Sequence, residues 1–281
     1  METILLSYEP AVRLGFFFAV FAIMVAWELM APRRALRTSK ALRWTNNLAL
    51  ALINSAVVRI ILPASAVAIA EFAAERGMGL FNFLTVSYPL SILLSVLALD
   101  LTIYLQHRML HAVPLLWRVH RMHHADVDVD LTTGARFHPF EIVLSTLLKF
   151  AVILVMGAPA LAVFVFEVLL NATSMFNHGN VRLPASVDRV MRWLMVTPDM
   201  HRVHHSVIPR ETNSNFGFNV PWWDCLFGTY RAQPQAGHGH MMIGIEQFRS
   251  PRELWLDRLL LQPFRRKDGG YTIGRREQVV R

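Results

Sequence analysis

The chain has one cysteine, Cys225, among 281 residues. That scarcity excludes an intrachain disulfide and any CxxC metal site, and it argues against a thiolate-held iron–sulfur cluster. Charge is scarce as well. Charged residues make up 17% of the sequence and hydrophobic ones 54%, a balance foreign to soluble domains. Several motifs are missing. Without HExxH, a zinc peptidase lacks both its ligand pair and its general base. Without a Walker loop or a GxGxxG fingerprint, no flavin or nicotinamide site is visible. Asp126, Asp128 and Asp130 resemble the start of a calcium loop, but Leu131 stands where that loop needs glycine and Phe137 where it needs glutamate. These acids read instead as a solvated turn. There is no internal repeat and no low-complexity tract.

What the sequence does have is long apolar runs. Ala11 to Met30 is long enough to cross a bilayer at about 1.5 Å per residue. Its early charges are Glu2 and Glu9 and no small-residue cleavage site follows, so it reads as an uncleaved span rather than a secretory signal. A second run covers about Asn46 to Phe72, with Arg59 expected to meet a partner helix or to snorkel. A third starts near Ser87 and places Asp100, Tyr104, His107 and His111 on one helical stripe. Asp100 inside a span needs a buried partner, either the N–H of a ligating imidazole or a neighbouring helix. Glu141 to Gly157 and Pro159 to Phe176 form two shorter runs parted by a Gly-Ala-Pro turn, a helical hairpin that crosses the bilayer or dips partway.

Later segments read as interfacial. Leu183, Val187, Val190, Met191, Leu194 and Met195 share one helical face. Ser250-Pro251-Arg252-Glu253 looks like a capped start for another helix, carrying Leu254, Trp255 and Leu261. The formal charge of +8 lies beside apolar runs, as in Arg33, Arg34, Arg37, Lys40 and Arg43, which suits cytoplasmic loops and anionic lipid rather than nucleic acid. Arg265, Arg266, Lys267, Arg275 and Arg276 read as a solvated or lipid-facing tail. The expected fold class is an all-α integral membrane protein: a helical transmembrane bundle with a histidine-rich cytoplasmic cap and interfacial helices.

Histidine is abundant and clustered. Of twelve, eight fall in HRMLH (His107, His111), HRMHH (His120, His123, His124) and HRVHH (His201, His204, His205). Random placement gives about 0.02 HxxHH matches, and the chain has two. Imidazole is the commonest ligand for transition metals, and spacings of three and four put such rings on one helical face. One ion takes about four to six ligands, so eight or more imidazoles suit two adjacent metals. His178, ending the hairpin, is a further expected ligand. His138 reads equally as a ligand, a partner of one, or a helix-start residue. His238 and His240 read as ordinary core histidines.

HRMLH, HRMHH and HRVHH, with RFHPFE, NHGN and NFGFNVPWWDCLFGTY, resemble the fatty acid hydroxylase superfamily, also called the sterol desaturase family, over roughly residues 100–230. The resemblance implies a single domain over residues 1–281. Its membrane region covers about 11–106 and 141–177, a histidine cap about 107–140 and 178–230, and a basic tail 231–281. It implies a di-iron enzyme that uses O2 to oxidise an unactivated C–H bond of a lipid by hydroxylation or desaturation. His107, His111, His120, His123, His124, His201, His204 and His205 are then the metal ligands, with Asp100 and Tyr104 possible partners of the ligands. Some members carry HxxxH where this chain has Ser174 and His178, which leaves the ligand count open. No fused haem-binding domain is visible, so electrons are expected from a separate donor such as a ferredoxin or cytochrome b5. A membrane haem protein, or a metal transporter or store, would use the same histidines without lipid oxidation.

Overall fold

The computed structural model describes residues 6–265 and 269–273. It is helical throughout; among the described residues there is no β-strand, only the isolated bridges Pro32–Val181 and Ser206–Ile243. In chain order the helices that matter for the site are α1 (Glu9–Met30), α2 (Lys40–Ile61), α3 (Ala66–Glu75), α4 (Tyr88–Ala112), α5 (Pro114–His124), α6 (Pro139–Met156), α7 (Ala160–Asn177), α8 (Ala185–Met191) and α9 (Pro198–His204). Among the described residues five stretches are long and apolar enough to cross a membrane: α1, the segment Lys40–Phe83, α4, α6 and α7. The protein is an all-α integral membrane protein.

The second apolar run is not one helix. Pro63 has no backbone N–H to continue the ladder, so α2 stops at Ile61. The chain restarts at α3, where the Ser65 side chain accepts the Ala68 N–H. Arg59 lies exposed in the last turn of α2, where its long side chain can reach the interface. The hairpin forms as expected. Gly157 turns the chain in the left-handed region at φ 64°, and a Cβ there would sit 2.6 Å from the Met78 carbonyl. The two arms have 18 residues each, about 27 Å of helix.

α3, α4, α6 and α7 enclose an apolar core that includes Leu99, Ile103, Ile153, Phe166 and Phe218. Two charges inside the hairpin escape an apolar reading of the sequence. Glu167 of α7 pairs with Lys149 of α6 at 2.9 Å and with Arg13 of α1 at 2.6 Å, which ties the first helix to the hairpin. Glu9, 3.0 Å from Arg13, completes a group of two cations and two carboxylates that balance, as charges within a bilayer must.

The aspartate turn corrects the expectation of a solvated loop. Asp126, Asp128 and Asp130 are buried, and the reason is Arg43, itself wholly buried. Its guanidinium takes Asp126 in a two-pronged grip at 2.9 and 2.8 Å, and also binds Asp130. Asp128 accepts the backbone N–H groups of Arg37 and Thr38 at 2.9 Å each. The basic loop is therefore partly a structural clasp. Two further expectations are trimmed. α8 is only seven residues long, though Val187, Val190 and Leu194 do face outward. The capped helix at Ser250 is instead a 3-10 turn, Pro251–Leu254, followed by Leu256–Leu261. Ser250 makes no side-chain cap, and Asn46 takes the Leu256 N–H at 2.7 Å. In the tail, Arg265 pairs with Glu253 and covers the Phe248 ring; Arg266, Lys267, Arg275 and Arg276 lie outside the described residues.

Candidate metal centre

Four elements deliver nine buried imidazoles to one place. α4 presents His107 and His111 one turn apart near its end. Val113 and Pro114 break that helix and start α5, which carries His120, His123 and His124. His178 caps the end of α7. α9 starts at Thr197, whose hydroxyl accepts the Met200 N–H, and carries His201 and His204, with His205 as its C-cap.

The nine sort into two groups. His107, His111, His120, His124 and His204 form one; His123, His178, His201 and His205 form the other. Within each group the candidate ligand atoms all lie within 4.8 Å of one another. Neighbouring rings of the two groups approach to 4.7 Å, between His124 and His205. Each HxxHH triplet is shared. Positions one and five, four residues apart on one face, go to one group, and the fourth position goes to the other.

Hydrogen bonds identify which ring nitrogen is free. A carbonyl can only accept, so Nδ1 of His107 donates to Phe216 O (2.9 Å), that of His204 to Ser214 O (2.8 Å), that of His178 to Ser174 O (2.8 Å) and that of His123 to Arg136 O (3.3 Å). His120 Nδ1 donates to Glu141 (2.8 Å) and His111 Nδ1 meets Asn213 Oδ1 (3.0 Å). With Nδ1 engaged in these six rings, Nε2 is the nitrogen left to face inward. His107 Nε2 and His204 Nε2 are buried with no protein partner. His123 and His178 are more telling. Both have spent their only N–H on a carbonyl, yet their Nε2 atoms face each other at 3.2 Å. Two lone pairs repel there unless a cation lies between them.

The spacing suits a cation. Nitrogens each about 2.1 Å from one ion stand about 3.0 Å apart at a right angle and about 3.4 Å apart at the tetrahedral angle. The observed Nε2 contacts, 3.1–3.2 Å for His111–His124, His120–His124, His123–His178 and His178–His201, fall in that range. Protonation is suppressed as a ligand set requires. Burial, reinforced by neighbouring imidazoles, pushes His123, His124, His201, His204 and His205 well below the ordinary histidine value. Burial brings His178 down to about 4. The residues present fit a pair of imidazole-held metal ions.

The family model for fatty acid hydroxylase matches residues 92–229, a stretch that contains all nine histidines. Residues 92–229 are a fatty acid hydroxylase domain. It is 29% identical over 190 residues to an ornithine lipid hydroxylase from Rhizobium tropici, covering 67% of this chain and 55% of that protein. It is 29% identical over 141 residues to an alkylglycerol monooxygenase from Xenopus tropicalis, covering 49% and 30%. A very-long-chain aldehyde decarbonylase from Oryza sativa subsp. indica is 27% identical over 135 residues, covering 45% and 20%. The chain thus spans about half the length, or less, of these curated relatives. No solved structure gives a significant match.

The remaining expected site residues of this hydroxylase domain lie outside the two groups. His138 is a helix-start residue. Its Nε2 donates to Leu260 O (3.2 Å) and its Nδ1 accepts the Phe140 N–H (3.3 Å). Ser174 donates its hydroxyl to Gly134 O, so position 174 adds no ligand. Asp100 touches no imidazole; it accepts Trp223 Nε1 (2.8 Å) and Asn219 N (3.3 Å), pinning the later loop to α4. Tyr104 bonds Thr229 Oγ1 (2.9 Å) and stacks on Phe227, in the same loop. His238 is buried 3.8 Å from Asp199, and His240 is exposed rather than in the core. Glu141 partners His120 without being marked as a site residue by the sequence pattern, although its place in RFHPFE, one turn after the His138 cap, is a usable signal. The carbonyl acceptors at residues 136, 174, 214 and 216 leave no mark in a sequence.

Proposed function

We propose that the chain is a membrane-bound non-haem di-iron oxygenase that hydroxylates an unactivated C–H bond of a lipid, with O2 and a separate electron donor. The observation that carries this reading is the facing lone pairs of His123 and His178, set among two buried imidazole groups beside an apolar core. His107, His111, His120, His124 and His204 would hold one iron, and His123, His178, His201 and His205 the other. A bound iron pair supplies the oxidation that no side chain can perform: the C–H bond, O2, two electrons and two protons become C–OH and water.

The protein's own groups do the rest. Nδ1 hydrogen bonds hold six of the nine rings in the direction that turns Nε2 inward. Phe137 stacks on His123 at 4.5 Å and reaches His120 at 6.4 Å, while Phe218 lies 6.1 Å from His178 and His201. Both rings belong to the core between the membrane helices. They keep water from the histidines and offer an apolar wall against which an alkyl chain can be positioned. Five imidazoles on one side and four on the other are surplus to haem, which uses one or two axial ligands.

The named activities of the relatives, a hydroxylase and a monooxygenase, favour oxygen insertion over desaturation. The arginine-rich loop after α1 favours a cytoplasmic face for the histidines, where a ferredoxin or cytochrome b5 could dock. The test is mass spectrometry of lipid extracts from cells with and without the chain, grown under ¹⁸O₂. A lipid gaining one labelled oxygen, with about two irons per purified chain, is the expected result. Turnover without oxygen, or stoichiometric zinc in the active protein, overturns the proposal.

A further inference from the structure

We propose that Asp224, which touches no histidine, is a positioning residue for the five-histidine group alone, and so controls retention of one of two metal ions. The inference rests on the metal-pair reading above. Three of the five rings take their Nδ1 acceptors from four consecutive residues: His111 from Asn213 Oδ1, His204 from Ser214 O and His107 from Phe216 O. The four-histidine group takes its identified acceptors elsewhere, at Arg136 and Ser174. The segment Asn213–Phe216 therefore serves one side of the centre.

Asp224 holds that segment. It is fully buried, and its carboxylate accepts Phe216 N and Gly217 N at 2.8 Å each, with the Thr229 hydroxyl at 2.6 Å. The link to the histidine runs through one rigid unit. In a trans peptide the C=O and N–H point in opposite directions. Drawing the Gly217 N–H toward Asp224 therefore turns the Phe216 carbonyl the other way, onto His107. Gly217 makes the approach possible, because a Cβ there would lie 2.7 Å from the Asp224 carboxylate. His107 Nε2 and His204 Nε2, two of the buried ring nitrogens without partners, are aimed by this same segment.

Asp224→Asn replaces one acceptor oxygen with an amide that faces an N–H, so the Phe216–Gly217 peptide loses its hold. Losing such outer partners lowers metal affinity about 10- to 100-fold. The probe is Co(II), titrated anaerobically into the full-length chain in detergent, with metal counted by mass spectrometry and imidazole ligation followed by the cobalt absorption bands. The unaltered chain is expected to hold two ions. Asp224→Asn should hold one at wild-type affinity and bind the second 10- to 100-fold more weakly. Adding His204→Ala should leave that count near one, whereas adding His205→Ala should take it toward zero. If Asp224→Asn does not fold, Asn213→Ala should give the same one-ion pattern through His111, and Asn213→Asp, which keeps the acceptor, should restore two. Two ions kept at full affinity, or both lost together from a folded chain, overturn the positioning role. Fewer than two ions in the unaltered chain overturn the metal-pair reading itself.

Discussion

At the scale of residues, the two HxxHH triplets are read differently by the two groups. Spacing predicts that the first and last histidines of each triplet share a face, and they do. His120 and His124 join one group, His201 and His205 the other, with His123 and His204 exchanged between them. His123→Ala and His204→Ala should therefore remove different ions. Each variant should hold one metal per chain, lose lipid oxidation by at least about 100-fold and keep its helical circular dichroism. His138→Ala is the contrasting case. It deletes a helix cap, worth about 1 kcal/mol, and should lower the unfolding midpoint while leaving the metal count unchanged. Loss of metal in that variant would return His138 to the ligand set. His238→Ala should leave the metal count unchanged too, since its ring lies beside Asp199 and in neither group.

At the scale of elements, apolar length and turn residues made α1, α4 and the hairpin legible, because a bilayer imposes its thickness on any span. Where backbone chemistry or a distant charge intervened, pattern reading failed. Pro63 divided the second run, and Arg43 turned an apparently solvated acidic loop into a buried clasp between α2 and the segment after α5. Removing one member of a buried ion group costs about 3–5 kcal/mol, because the remaining charges keep their burial and lose their partner. Arg43→Ala should accordingly lower the thermal midpoint sharply, or abolish folded protein in detergent. Arg252→Ala, at an exposed pair with Asp257, should change little. Equal tolerance of both substitutions would show that the clasp carries no stability.

At the scale of the whole molecule, gathering nine imidazoles into a dry interior makes stability depend on pH. His178 binds a proton in the folded chain only near pH 4, and its neighbours outside the spans are also held well below the ordinary value. In an unfolded chain the same rings titrate near about 6.5. Between those values the unfolded state binds more protons, so the metal-free protein should lose stability as pH falls from about 6.5 toward 4, and stay level above pH 7. Added metal should raise the plateau and be released in the same window, since protons compete for the same Nε2 atoms. Thermal unfolding in detergent across pH 4.5–8, with and without metal, measures both effects. A flat profile for the metal-free chain would mean that the rings are not buried in neutral form.

Composition and spacing by themselves determined that this is a helical membrane protein and which eight clustered histidines, with His178, converge. Bilayer thickness and helical periodicity are local constraints that a sequence must satisfy residue by residue. Tertiary structure alone decided how those nine divide five and four, that Asp100 and Tyr104 brace a loop instead of touching an imidazole, and that backbone carbonyls choose the tautomer of four rings. Those outcomes depend on which distant segments meet. A carbonyl has the same chemistry at every position until folding points it at something.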